Sequence, residues 1–269
     1  MNDSTRMPHI PHIPRIVAVT SGKGGVGKTF IAANLAAALA RAGHRVLVMD
    51  ADLGLANLDI VLNLTPKETL HEVLTGAGLL EDVILQAPGG FSVLPAGSGL
   101  AEYSRLSEDV RSRLRDILRQ LGERFDLLLI DTGAGIADLV LYINSLADEI
   151  LLVTTPEPTA LADAYATIKV LSMQQRRTAV HLIINQVRKP GEGRTIAAQL
   201  QQVVDRFLKP PVSQPVKLGF LGEVPADAAV VRSVRRRALL LESSPESPAA
   251  RAIDDISIAI GRSPARSAA

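Results

Sequence analysis

No cysteine occurs in the 269 residues. That excludes disulfides, thiolate metal sites, cysteine-ligated iron–sulfur clusters and thiol catalysis together, and it fits a reducing compartment. An excess of charge of one sign is missing too, because 29 Lys and Arg stand against 28 Asp and Glu. No global field draws such a protein to nucleic acid or membrane, so any contact of that kind must come from a local patch. Aromatic residues make up 3%, too few for a platform on which single-stranded bases stack. No apolar run approaches the ~18 residues needed to cross a bilayer, and "MNDSTRMPHIPHIPRI" has no apolar core of the signal-peptide kind. A soluble, cytoplasmic protein is expected. His9 and His12 in the proline-rich leader lack the further ligands of a closed metal site.

What is present is enough apolar content, 47%, for a substantial core. One domain is expected over 15–261, between a disordered leader (1–14) and a flexible tail (262–269). Short apolar runs at 15–21, 45–52, 91–97, 125–133, 148–156, 179–187 and 216–225 alternate with longer helical patterns and are read as strands buried on both faces. The expected fold is α/β, a doubly wound, mostly parallel sheet of seven to eight strands with helices on both faces. Residues 108–122 place Val110, Leu114, Ile117, Leu118 and Leu121 on one helical stripe behind Ser107 as N-cap. "TPKETLHEVL" reads as a second helix start, with Thr65 and Glu68 as capping box and Pro66 at the first position.

The strongest signal is G-x-x-x-x-G-K-T from Gly22 to Thr29, which has a strand before it and a helix after it. Gly22, Gly24, Gly25 and Gly27 let the backbone curl around phosphate, with Val26 between them. The helix N-terminus receives the oxygens, Lys28 neutralises charge and Thr29 ligates Mg²⁺. Phosphoryl transfer also needs carboxylates at strand ends beside the loop. Asp131 ends "LLLID", and Asp50 and Asp52 end "VLVMDAD". Single aspartates at such ends are often only turns or caps, but three together are harder to dismiss.

These residues resemble the MinD/ParA branch of P-loop ATPases, whose deviant Walker A motif K-G-G-x-G-K-[ST] is matched by Lys23 to Thr29. "DADLGLANLDIVLNL", "TLHEVLTG", "VLPAGSG", "DTGAGI", "TPEPTALADAYATIK" and "NQVRKPGEG" look most like the flagellar-number ATPases FlhG and FleN. The resemblance implies ATP and Mg²⁺ as cofactors and an ATP-dependent homodimer in which Lys23 reaches the partner subunit's phosphates. It implies that Asp52 positions the hydrolytic water, that Asp50 and Asp131 support Mg²⁺, and that Gly135 follows the γ-phosphate. It also places adenine near Asn185, Arg188, Pro225 and Asp227, although a buried Asn at a strand end is more often a turn-stabilising hydrogen-bonder.

Two departures stand out. Phe30 follows Thr29 where the family commonly has a polar residue on the α-phosphate, so that contact falls to the backbone. The leader lacks the glutamine-containing motif with which many flagellar members stimulate the GTPase FlhF. "VRSVRRR" places Arg232, Arg235 and Arg236 on or near one helical face, read first as a solvated face and second as a site for an acidic partner, anionic lipid or DNA. "RAIDDISIAIGR" aligns Ile253, Ile256 and Ile260, which would suit a membrane-binding helix. Asp254 and Asp255 oppose anionic lipid, which favours packing against the domain.

The resemblance thus implies a slow, partner-regulated ATPase switch controlling flagellar number or placement. Its partners would be an FlhF-type GTPase, a flagellar transcription activator or basal-body proteins, without direct DNA binding. Location would be cytoplasmic, or peripheral at the inner membrane or flagellar pole. The alternatives are a general MinD-like or ParA-like positioning ATPase at membrane or nucleoid, and a metabolic ligase or kinase on the same scaffold.

Overall fold

Strand-forming apolar runs and helices alternate along nearly the whole chain, and the parallel pairing that results needs a helix to return the chain after each strand. The computed structural model describes residues 14–52, 57–97, 107–209 and 215–262. His9, His12, most of the leader and the tail beyond Arg262 lie outside them.

The first half runs β1 (Arg15–Ser21), α1 (Lys28–Arg41), β2 (Val46–Ala51), α2 (Leu58–Val61), α3 (Leu70–Thr75), α4 (Leu80–Val83), β3 (Leu85–Gln86), β4 (Ser92–Leu94), α5 (Glu108–Gly122) and β5 (Leu127–Ala134). The second runs α6 (Asp138–Leu146), β6 (Glu149–Thr154), α7 (Pro158–Gln175), β7 (Ala179–Val187), α8 (Glu192–Phe207), β8 (Lys217–Pro225), α9 (Ala228–Arg235), α10 (Leu240–Ser243) and α11 (Pro248–Gly261). The strands form one eight-stranded sheet in the order β3-β4-β2-β5-β1-β6-β7-β8. All neighbours are parallel except the β3–β4 pair. The chain leaves β1 toward β2 on one side and later returns past it to β6 on the other. Their carboxyl ends therefore border a crevice of the kind that binds ligands in open α/β sheets.

Alternation along each strand divides the core. Val17, Val19, Leu127, Leu129, Leu151 and Val153 pack with α1 and α11. On the other face, Leu47, Met49, Leu128 and Ile130 pack with α5 and Ile143 of α6, and Ala18, Ile150, Leu152 and Leu182 with α7 and α8. The stripe Leu114, Ile117, Leu118 and Leu121 of α5 is buried, and the Ser107 hydroxyl accepts from Val110 N at 3.3 Å.

The eighth strand of the expected seven to eight is β3, which joins antiparallel through only two residues, too short for any periodicity. Two expectations need correction. β8 is an edge strand, mostly half-buried, so it is not apolar on both faces as a central strand is. The capping box lies one turn later than Thr65–Glu68: Thr69 N donates to Glu72 Oε2 at 2.7 Å and Thr69 Oγ1 accepts from His71 N at 3.3 Å. The helix starts where burial starts, at Leu70, whose N–H donates to Pro95 O. Residues 64–66 remain outside a helix.

α11 carries Ile253, Ile256 and Ile260 at 0%, 1% and 2% exposure. Offering that stripe to a bilayer would leave the apolar face of the domain beneath it exposed to water, so it serves the domain. Buried Arg15 fastens the helix at its end, donating from Nη1 to Ile260 O at 2.6 Å while Nε holds Glu149 at 2.6 Å. No described helix is long and apolar enough to cross a membrane. Ile253→Ala is expected to destabilise the protein by about 3 kcal/mol, against under ~0.5 kcal/mol for Ile258→Ala at an exposed position. Urea titration of the two variants measures the difference, and equal effects would show that the stripe is not packed as described.

Candidate functional site

The loop between β1 and α1 owes its shape to its glycines and their neighbours. A side chain at Gly22 would collide with the backbone of Asp163 in α7, so α7 passes directly against the loop. Gly25 and Gly27 have φ of 79° and 94°, which glycine adopts without strain. At Gly24 and Gly25 an added Cβ would meet nothing within 4 Å, which leaves room on that face of the loop. The N-cap of α1 is Gly27 with no side-chain cap, and no acidic residue lies in its first turn. Its orphan N–H groups and the positive end of the helix dipole suit an anion. Phe30 is buried in the cluster beneath α1, so any phosphate contact at this position is left to its backbone.

Lys28, Thr29, Asp52 and Asp131 come together at the mouth of this loop. Asp131 is buried at 2% exposure. Burial raises its pKa to about 6, against the opposing pull of Lys28 and a hydrogen bond from Thr29, while Asp52 adds a further upward push. Asp131 Oδ1 is buried without a hydrogen-bond partner. Asp52 Oδ1 lies 3.6 Å from where a Gly133 side chain would begin. An orphaned carboxylate oxygen beside a threonine hydroxyl fits a Mg²⁺ ion held through one or two protein groups and the ligand's phosphates. No group of three or more His, Cys, Asp or Glu that could cage a metal exists among the described residues.

Asp50 sits opposite Asp131 in the sheet. Burial, then the charge of Asp131, pushes its pKa up to about 7 despite three backbone N–H donors. The charge of Asp131 beside it thus works against ionisation of Asp50. Unlike Asp131, Asp50 spends its oxygens on the backbone of Asp52, Asn57 and Leu58.

Lys23 lies at the rim. Its Nζ donates to Glu157 Oε1 at 2.8 Å and to Thr159 Oγ1 at 2.9 Å, and the contact holds the Glu157 carboxyl below its usual range. The lysine side chain is 37% exposed, and surface pairs of this sort contribute little to stability. Lys23 can therefore change partner at small cost. Gly135, with φ 89°, donates its N–H to Ser21 O at 2.8 Å, and its neighbour Ile136 is 47% exposed.

Of the expected adenine residues, Asn185 and Asp227 bond to the protein's own backbone. Asn185 Nδ2 donates to Val26 O at 2.8 Å and its Oδ1 accepts from Gln186 N at 2.9 Å, so the side chain clamps the phosphate loop to β7. Asp227 caps two helices at once, accepting from Ala229 N at 2.7 Å and Ala249 N at 3.3 Å. Pro225 ends β8. Arg188 lines a cavity of about 500 Å³ with Thr155, Pro156, Glu157, Gln186 and Glu192. Sequence reasoning assigned no role to Glu157, Thr159, Gln186 or Glu192. The β6–α7 turn "TPEPT" was the available sign, since a polar turn at the end of a central strand faces the crevice. Arg232, Arg235 and Arg236 are exposed, as a solvated face requires.

Fold and loop together define a nucleotide-binding P-loop ATPase of the MinD/ParA kind. The chain matches the family described as the CobQ/CobB/MinD/ParA nucleotide binding domain over residues 17–240, and belongs to it. It is similar to the antiactivator FleN of Pseudomonas aeruginosa, 43% identical over 232 residues, covering 86% of this chain and 81% of that one. It is also similar to the flagellum site-determining protein YlxH of Helicobacter pylori, 34% identical over 243 residues, covering 89% and 79%. Among solved structures, septum site-determining MinD complexed with Mg-ADP from Pyrococcus horikoshii matches with TM-score 0.74 at 29% identity, covering 93% and 96%.

The buried carboxylates make nucleotide-free stability depend on pH. Their native pKa values are raised, so the folded state keeps protons that the unfolded chain has lost, and stability falls as pH rises from about 4 through 7. Between pH 5 and 8 the loss is expected to be on the order of 2 to 4 kcal/mol, measured by urea titration without nucleotide. Asp131→Asn is expected to flatten the curve, and a wild-type stability that rises over this range would contradict the assignment.

Proposed function

We propose that the protein is an ATP-hydrolysing switch, dimeric with ATP and monomeric without it, that controls flagellar number or placement. The observation that carries the ATPase part is the convergence of Lys28, Thr29, Asp52 and Asp131 at a glycine loop whose following helix has an uncapped N-terminus. The loop backbone from Gly22 to Phe30 and Lys28 bind the phosphates of ATP. Mg²⁺ bound with the nucleotide is held through Thr29 and Asp131, and its charge offsets that of the triphosphate. Asp52 orients the attacking water. Lys23 leaves Glu157 and Thr159 to reach the partner subunit's phosphates, and Gly135 follows the γ-phosphate. The base lies against Asn185, Arg188 and Pro225, with the carboxylate of Asp227 committed to its two caps.

The flagellar part is supported by similarity to FleN and YlxH over more than four-fifths of the chain. Turnover is slow and is regulated by flagellar proteins: an FlhF-type GTPase, a transcription activator or basal-body components. Burial of the α11 stripe weighs against the alternative of a membrane-positioning ATPase anchored by that helix. The metabolic alternative would show itself as turnover stimulated by a small carboxylate or amine alone.

Lys28→Ala is expected to abolish nucleotide binding in a titration, because the triphosphate loses its principal cation. Lys23→Ala keeps the cradle, so it binds ATP but stays monomeric by light scattering, since two facing triphosphates lack the cations that offset their repulsion. Asp52→Ala forms a persistent ATP dimer whose turnover falls by ~10²-fold or more. A dimeric, active Lys23→Ala protein would remove the cross-subunit role. A normal flagellar count in a flagellated host lacking the gene would remove the flagellar assignment and leave the ATPase untouched.

A further inference from the structure

Asp50 is the penultimate residue of β2, two before Asp52, and is 2% exposed. Its Oδ1 accepts from Asp52 N at 3.0 Å, an Asx-turn geometry in which the side chain fixes the backbone two residues on. Its Oδ2 accepts from Asn57 N and Leu58 N, both at 3.2 Å. These are the first N–H groups of α2, which has no side-chain cap of its own, and such groups have no partner within a helix. Leu58 is fully buried, so α2 is seated in the core where it begins. One buried carboxylate thus ties both ends of the β2–α2 connection, and Asp52 stands at the end nearer the phosphate loop.

The neighbouring carboxylate differs. Asp131 Oδ1 has no hydrogen-bond partner, as an oxygen facing a metal's shell requires, whereas Asp50 is already engaged by at least three donors. We infer that Asp50 is a positioning residue that holds Asp52 in place by stapling the two ends of the β2–α2 connection, and that it is not part of the Mg²⁺ shell. The inference rests on the proposed hydrolytic role of Asp52.

Amide exchange in the nucleotide-free full-length protein tests the staple without any turnover. In the wild type, Asn57 and Leu58 are expected to exchange at least ~10²-fold more slowly than unprotected amides, because each is bonded to a buried carboxylate. Exchange at the unprotected rate would overturn the staple even if no variant folds. Asp50→Asn turns an amide donor toward N–H donors and is expected to speed that exchange at least tenfold, whereas Asp52→Ala leaves it unchanged.

Turnover then tests the positioning. Asp50→Asn is expected to lower kcat about tenfold or more, with KM for ATP, the Mg²⁺ requirement and ATP-dependent dimerisation within about twofold of wild type. In the Asp52→Ala background it is expected to lower kcat no further, because a residue acting only through Asp52 has nothing left to act on. A tenfold higher Mg²⁺ requirement with unchanged exchange would place Asp50 in the metal shell and overturn the inference. Absence of turnover in the wild type would instead remove the hydrolytic reading, and the exchange result would report on the staple independently.

Discussion

Two carboxylates, Asp50 and Asp131, face each other across adjacent strands inside the sheet, with Lys28 buried nearby. Charges buried in this way are tolerated only if they are paired, hydrogen-bonded or protonated, and the site uses all three. Asp50 takes backbone donors, Asp131 takes Thr29 and the field of Lys28, and both hold protons more tightly than an exposed carboxyl does. The burial that raises both carboxyl groups weakens the protein at high pH, which links its stability to the strand order that brings β2 and β5 together.

Much of this was legible in the sequence wherever a signal is local. Seven strands, the α5 stripe, the Ser107 cap and the glycine loop are each defined within fewer than twenty consecutive residues. What was misread depends on contacts distant in the chain. Thr65 and Thr69 both begin a T-x-x-E pattern, and the choice between them is made by burial of Leu70 and its bond to Pro95. Lys23 was recognisable, but its partner Glu157 lies 134 residues away. Nothing local in the sequence marks the backbone partners of Asn185 and Asp227, and only the fold reveals the loop and the two helices that they hold.

Phe30 shows how a family pattern and a packing demand can meet at one position. Its ring belongs to the cluster formed with α11 and the neighbouring strands, so the residue after Thr29 supports the first turn of α1 from below. A polar residue there would offer a ligand contact at the expense of that support, whereas phenylalanine leaves binding to the N–H groups of the helix end. The loop's affinity for an anion then depends on backbone geometry that is held from two sides, by Gly22 against α7 and by Asn185 against Val26 and Gly27.

The bond from Arg15 to the carbonyl of Ile260 spans 245 residues. β1, in the middle of the sheet, is made well before α11 on the ribosome, yet its guanidinium acquires that carbonyl only when α11 has been synthesised. Contacts of such long sequence separation slow folding because so much chain must be closed before they form. Glu149, made midway, can shelter the guanidinium in the meantime. Completion of the α1 face therefore waits on synthesis of α11, and a nascent chain ending short of that helix leaves the apolar face shared by α1 and β8 without its cover.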